Sequence, residues 1–442
     1  MRKPTNTLLK ERARRRRSLM RTMGADSIAI IPAARAYKRN GDTEHPYRQS
    51  SDFYYLSGFE EPESVIVLIP GRSHAEFILF CRERDPVQET WHGRRLGVDQ
   101  APEVLGVDDA FPVTDMDEIM PGLLEGRERV FYTIGVDSEF DSRVLGWINR
   151  VRATVRDGSH APVEFIDLDY HMHEMRLFKS RVEVAAMRKA SKLTAEAQKR
   201  AMKKCKPGVM EYTLEAELIH EYKSHGATHS FLPIVGGGAN GCILHYTENA
   251  DELKEGDLVL IDTGAEVGYY AGDITRTFPV SGVFSREQAA VYQVVLDAQL
   301  AAIDKVRAGN KWNDPHEAAV KVLTQGLVKL GLLKGRVATL IKNEAYKRFY
   351  MHRTGHWLGL DVHDVGEYKV DGDWRELEPG MVVTVEPGLY ISPGKGVPKK
   401  YENLGIRIED DVLVTKDEPE VLSRAAPKSI GEIEAWMAAE AP

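Results

Sequence analysis

The residues best equipped for chemistry lie in the stretch 258–278, LVLIDTGAEVGYYAGDITRTF, where Asp262 ends an apolar run and Asp273 follows eleven positions later across a Gly-rich turn. A run rich in Val, Leu and Ile reads as a strand, and the turn brings the chain back beside it, so both carboxylates are aimed at one spot. Neighbouring carboxylates repel unless a proton or a cation stands between them. A metal ion is the chemistry this pair calls for.

The arrangement occurs twice. Residues 253–264 (LKEGDLVLIDTG) align without gaps on 377–388 (LEPGMVVTVEPG), so Glu386 stands where Asp262 does, and the following GIRIEDD offers Glu409 much as the first hairpin offers Asp273. Between the two halves lies HRTGHWLGLDVHDVG, with His352, His356 and His363. A single acid at a strand end is ordinarily solvated or a cap. Here the echo repeats the carboxylate as well as the hydrophobic pattern, which packing alone does not require.

Asp262, Asp273, His356, Glu386 and Glu409 give five candidate ligands, four of them anionic. One ion cannot use four negative charges well, whereas two ions with two bridging acids can. Oxygen-rich ligands with one imidazole favour hard or borderline divalent ions such as Mn, Co or Fe over a structural zinc. Two ions ~3.5–4 Å apart would share a water and polarise the bond it attacks, so metal-assisted hydrolysis is the expected reaction class. His245 and His363 sit on segments that must border the ligands and are candidates to donate to an oxyanion or a leaving nitrogen. Arg407, two residues before Glu409, is expected on the same strand face, orienting an acid.

The chain that must position these groups has 442 residues, enough for two or three domains. Its 43% hydrophobic and 29% charged residues are ordinary for a soluble globular protein, and a net charge of -8 argues against general affinity for nucleic acid. Cys81, Cys205 and Cys242 form no CxxC pair, which excludes a thiolate metal site and a disulfide framework and suits a reducing, cytoplasmic location. No apolar run approaches the ~18 residues that span a bilayer, so no membrane association is expected. The basic run Arg14 to Arg17 lacks the apolar stretch of a signal peptide. It is expected in a polar-faced surface helix that turns Leu19, Met20 and Met23 inward and ends at Gly24; a transit peptide or a nucleic-acid patch is the other reading.

Strands and helices alternate from Ser27 to about Asp169, giving a self-contained α/β domain at residues 1–172. Within it, 47–58 (YRQSSDFYYLSG) is expected as a buried aromatic strand, and 85–97 as a loop whose exposed Trp91 a substrate or a subunit could cover. One long helical passage is expected over 165–205, with His171 and His173 at the surface away from carboxylates. HExxH is absent. The segment 236–241, GGGANG, satisfies GxGxxG formally, but the CILHY that follows reads as a strand and not as a helix N-terminus. Its glycines are expected to let the backbone approach the site and present His245. Helices at 286–308 and 315–333 flank one curved antiparallel sheet whose halves are related by the echo, an α+β catalytic domain at residues 173–442.

IDTGAEVGYYAGDITRTFPV, HWLGLDVHDVG, VVTVEPGLYI and GIRIEDDVLV resemble the metallopeptidases of the creatinase/aminopeptidase P/methionine aminopeptidase group, with its pita-bread fold. YRQSSDFYYLSGFEEPESVIVLI is similar to the bacterial aminopeptidase P branch, so the resemblance covers nearly the whole chain. It implies a creatinase-like N-terminal domain and release of the first residue from peptides with proline second, using two Mn2+ ions, with Co2+ or Zn2+ as alternatives. It gives bridging roles to Asp273 and Glu409, bidentate binding to Asp262 and proton handling to Glu386. It assigns His245, His352 and His363 to substrate and intermediate binding, and Tyr390 with Arg407 to an outer network on Asp262. It makes Trp91 a substrate-side aromatic contributed by a neighbouring subunit, in a homotetramer or dimer. A Xaa-Pro dipeptidase is the main alternative. A binding module of the same fold with lost ligands is the remote one, and it would show a replaced ligand position where none is replaced.

Overall fold

The computed structural model describes residues 4–439, which divide into two compact units between Met175 and Arg176. In the first unit a six-stranded sheet has the spatial order Asp109–Pro112, Phe77–Cys81, Val65–Leu68, Ser27–Pro32, Arg129–Phe131, Glu164–Ile166. Its middle strands are fully buried, as their unbroken apolar composition requires. Met116 and Met120 of the helix Met116–Leu124 and Trp147 of the helix Ser138–Ala153 close its core.

Five expectations for this part of the chain are corrected. The helix Asn6–Met23 does bury Leu19 and Met23, but it also buries Arg12, Arg15 and Arg16, so the basic run is not a solvated face. Arg15 and Arg16 donate to the carbonyls of Tyr55 at 3.1 Å and Leu56 at 2.7 Å, and Arg16 stacks 3.9 Å from the Phe77 ring centroid. Those carbonyls end the helix Ser51–Ser57, where the sequence suggested an aromatic strand. Cations at a helix C-terminus satisfy its orphan carbonyls and its dipole, and a buried guanidinium needs such partners. Gly58 closes this helix at φ 65°, and a Cβ there would lie 1.7 Å from Cζ of Arg12.

The segment 85–97 contains a short helix, Pro86–His92, started by Asp85 accepting from the Val87 and Gln88 N–H groups; Trp91 on it is 78% exposed. The passage 165–205 is broken into the end of a strand, a helix Leu168–Leu177 and a helix Arg181–Lys204, the last begun by a Ser180/Glu183 capping box. Nor is His173 free of carboxylates: its Nε2 lies 3.9 Å from both Asp52 and Asp169.

In the second unit the strands Ile234–Gly237, Leu258–Thr263 and Ile274–Pro279 form one antiparallel ladder, Val382–Val385, Asp410–Leu413 and Glu420–Val421 a second, and Gly388–Ile391 with Leu404–Arg407 a third. The expected single sheet is thus divided, because the chain leaves the ladders where the acids stand: Asp273 and Glu409 each precede a strand and Glu386 follows one. The echo is inexact in register, with Asp262 opposite Thr275 but Val385 opposite Asp410. Helices Arg181–Lys204, Glu211–Ser224, Arg286–Ile303 and Asp314–Lys329 enclose a core that includes Leu218, Ile261, Tyr292, Leu323, Trp357 and Ile406. CILHY is no strand. The strand stops at Gly237, a 3-10 turn covers Gly238–Cys242, and His245 lies on the turn that follows.

Candidate metal centre

The apolar residues of Leu258–Thr263 anchor the strand in the core, which carries Asp262 inward until only 9% of it is exposed. Its Oδ2 accepts from Nη2 of Arg407 at 2.6 Å, while its Oδ1 is buried with no hydrogen-bond partner among the described residues. Asp273 is 4% and Glu409 2% exposed, and a ligand atom from each lies within 4.8 Å of one from His356. Nε2 of His356 stands 3.4 Å from Asp273 Oδ2 and 3.7 Å from Glu386 Oε1. Its Nδ1 lies 2.9 Å from the Trp357 carbonyl, which can only accept, so Nδ1 carries the proton and the Nε2 lone pair faces the carboxylates.

Without a cation this convergence is unfavourable. Burial pushes the Asp273 carboxyl well above the usual carboxylate range, and Asp262, Asp411 and Glu386 push it further. Burial, then Asp273 and Glu386, does the same to Glu409. Glu386 is also raised by burial, with His356 and Arg407 pulling the other way. A divalent ion pair would reverse each of these shifts and give the orphaned Asp262 oxygen a partner, so the residues present fit two ions held by Asp262, Asp273, His356, Glu386 and Glu409.

An outer layer fixes the acids. Arg407 donates through Nε to Thr275 Oγ1 at 3.0 Å and through Nη1 to the Tyr390 hydroxyl at 3.0 Å, besides its bond to Asp262. It therefore reaches Asp262 from another ladder and does not bond to the neighbouring Glu409. Tyr390 donates to Nε2 of His352 at 2.8 Å, since His352 Nδ1, 2.7 Å from the Arg353 carbonyl, must hold the ring proton. Burial, with Arg407 adding, drives the His352 pKa down to about 3, so this ring stays neutral. The His363 ring is 4.2 Å from that of His356, and the partial desolvation of its ring, then His356 and His245, lowers its pKa although the side chain reaches solvent. His245 and His363 are exposed. Trp91 belongs to the first unit.

Three participants have no place in the sequence reading. The Thr275 hydroxyl donates to Glu409 Oε2 at 2.8 Å. Asp411 is wholly buried with a pKa raised to about 7 by burial; its Oδ2 accepts from the Ser191 hydroxyl at 2.6 Å and from the Asp273 N–H at 3.3 Å, and its Oδ1 has no hydrogen-bond partner among the described residues. Thr354 joins the Tyr350 hydroxyl at 2.6 Å to Nδ1 of His316 at 2.8 Å, and its carbonyl accepts the Glu386 N–H at 2.8 Å. Strand alternation in GIRIEDD would have found Asp411, two residues beyond Glu409. No pattern marks the two threonines.

Comparison with known proteins accords with this geometry. Residues 185–416 match metallopeptidase family M24, and residues 12–132 match the aminopeptidase P N-terminal domain. The chain is 48% identical to the Xaa-Pro aminopeptidase of Escherichia coli over 428 residues, 96% of this chain and 97% of that protein. It is 35% identical to Xaa-Pro aminopeptidase 3 of Rattus norvegicus over 93% of this chain and 81% of that one. Among solved structures it is similar to the aminopeptidase PepP of Pseudomonas aeruginosa, at 56% identity and a TM-score of 0.96 over 97% of this chain and 98% of that one. The zinc-substituted E. coli aminopeptidase P in complex with product gives 48% identity and a TM-score of 0.95 over 97% and 98% of the two chains.

Proposed function

The chain belongs to metallopeptidase family M24, and from that premise we propose that it is a Xaa-Pro aminopeptidase, a hydrolase that releases the first residue of peptides whose second is proline. The observation that carries the reading is the meeting of four carboxylates, three of them buried, around the half-buried His356 imidazole, with an Asp262 oxygen that has no hydrogen-bond partner among the described residues.

Asp262, Asp273, His356, Glu386 and Glu409 would hold two divalent ions, Mn2+ in preference to Co2+ or Zn2+. When bound, the ions supply Lewis-acid polarisation and a water of lowered pKa. Glu386 takes and passes the proton. Arg407 and Tyr390 hold Asp262 in place. His352, with both ring nitrogens engaged, fixes Tyr390 and borders the substrate. His245 and His363, exposed beside the cluster, bind the substrate carbonyl and the leaving imide. A prolyl imide has no N–H and a fixed φ, so an extended-strand protease site cannot grip it, whereas histidines that recognise the carbonyl and the ring can.

Trp91, exposed on its own helix, is the substrate-side aromatic that a neighbouring copy supplies in a homotetramer or dimer. The compartment proposed is the cytoplasm. Among the described residues no helix is long and apolar enough to cross a membrane. A panel of Xaa-Pro, Xaa-Pro-Yaa and Xaa-Ala-Yaa peptides assayed with Mn2+, Co2+ and Zn2+ tests the reading. Release of Xaa from Xaa-Pro-Yaa but not from Xaa-Ala-Yaa is expected; cleavage confined to the Xaa-Pro dipeptide would make the enzyme a dipeptidase instead.

A further inference from the structure

Glu211 begins the helix Glu211–Ser224 and has no part in the metal centre, yet it is fully buried. Its Oε1 accepts from the Gly237 N–H at 2.7 Å and the Asn240 side-chain amide at 3.0 Å; its Oε2 accepts from the Tyr246 hydroxyl at 2.7 Å and the Asp251 N–H at 2.9 Å. Four donors fill the carboxylate's acceptor positions, which is what a buried charge needs.

All four donors lie in 237–251, the segment that carries His245, and Tyr246 is its immediate neighbour. One helical turn on, Glu215 accepts from the side chain of Asn249 at 3.0 Å, so a second acid of the same helix grips the same segment. Gly237 permits the approach: a Cβ there would lie 2.5 Å from Leu253 Cδ2 and 3.4 Å from Glu211 Oε1. The His245 ring itself is exposed and, among the described residues, is held by no hydrogen bond of its own. Its place is therefore set by the backbone on either side of it.

We propose that Glu211 is a positioning residue for the reaction: by pinning Gly237, Asn240, Tyr246 and Asp251 it fixes where His245 meets the substrate. This rests on the reading above, in which His245 touches substrate. A carboxylate that only capped the fold would matter equally whether or not His245 were present.

The full-length, Mn-loaded enzyme is assayed on a Xaa-Pro-Yaa peptide as wild type, E211Q, Y246F, H245A and the two double variants with H245A, with metal content and Tm recorded for each. E211Q turns a donor toward donors and is expected to lower kcat/KM by about 10- to 100-fold at unchanged metal content. Y246F, which removes one of the four bonds, is expected to cost less. Neither is expected to lower kcat/KM further once H245A is present. An equal loss in both backgrounds, or no loss in E211Q, overturns the positioning role; should E211Q fail to fold, Y246F in the two backgrounds decides in the same way. Full activity of H245A would instead contradict the reading of His245, and the positioning role would fall with it.

Discussion

Arg407 shows what one side chain contributes here that another cation would not. Its three donor nitrogens reach Thr275, Tyr390 and Asp262 at 3.0, 3.0 and 2.6 Å. A lysine ammonium is a point charge that cannot span all three. R407K is therefore expected to keep a buried cation but to bind metal about 10- to 100-fold more weakly by titration calorimetry, as supporting partners of metal ligands do; unchanged affinity would mean that charge alone suffices. The acids give a second test. Their pKa values are raised in the metal-free fold, so protons bind more tightly to the folded than to the unfolded chain at Asp273, Glu386 and Glu409. That contribution to stability is present below the ordinary carboxylate range and is lost as pH rises through the raised values. Ions require the ionised forms, so loading releases protons, and the Tm gain from Mn2+ is expected to be small near about pH 5 and to grow toward about pH 8. A gain independent of pH would contradict the buried, repelling acids. At this scale the carboxylates were legible in the sequence because the echo repeats them. Thr275 and Thr354 were not, because a hydroxyl that bonds across strands leaves no periodic trace.

Elements were legible where their stability is local. The alternation of strands and helices expected from Ser27 onward includes the strands Val65–Leu68 and Phe77–Cys81, and the helix expected from 286 forms as Arg286–Ile303, begun by a Ser285/Gln288 capping box. The helix Ser51–Ser57 was not, since its last carbonyls are satisfied by arginines some 40 positions earlier in the chain. The same contacts explain why the arginine run looked like a solvated face: charge counts in a sequence do not say which carbonyl a guanidinium will meet. R16M keeps the length and removes the donor, leaving the Leu56 carbonyl without its partner. The expected cost is about 1–3 kcal/mol in denaturant unfolding of the first unit, with the metal content of the second unchanged. A change within the error of the measurement would show that the arginine is merely tolerated there. CILHY misled for a related reason. Its apolar residues suit a strand, but the Gly-rich turn ahead of it and the grip of Glu211 on its flanks hold it as a turn.

For the whole molecule, the two units meet different demands, and each has its own buried core. The α/β character of the first followed from how strands and helices alternate in the sequence, and the α+β character of the second from helices flanking two hairpins that echo each other. The division of the second unit's sheet into ladders did not, because alternation says where strands are and not where they must part to let an acid turn inward. The central claim is that five side chains spread from Asp262 to Glu409 grip a pair of divalent ions. Anomalous scattering from crystals grown with Mn2+ tests it most directly: two metal peaks are expected among Asp262, Asp273, His356, Glu386 and Glu409, whereas no peak there, or ions bound elsewhere in a fully active enzyme, would contradict it.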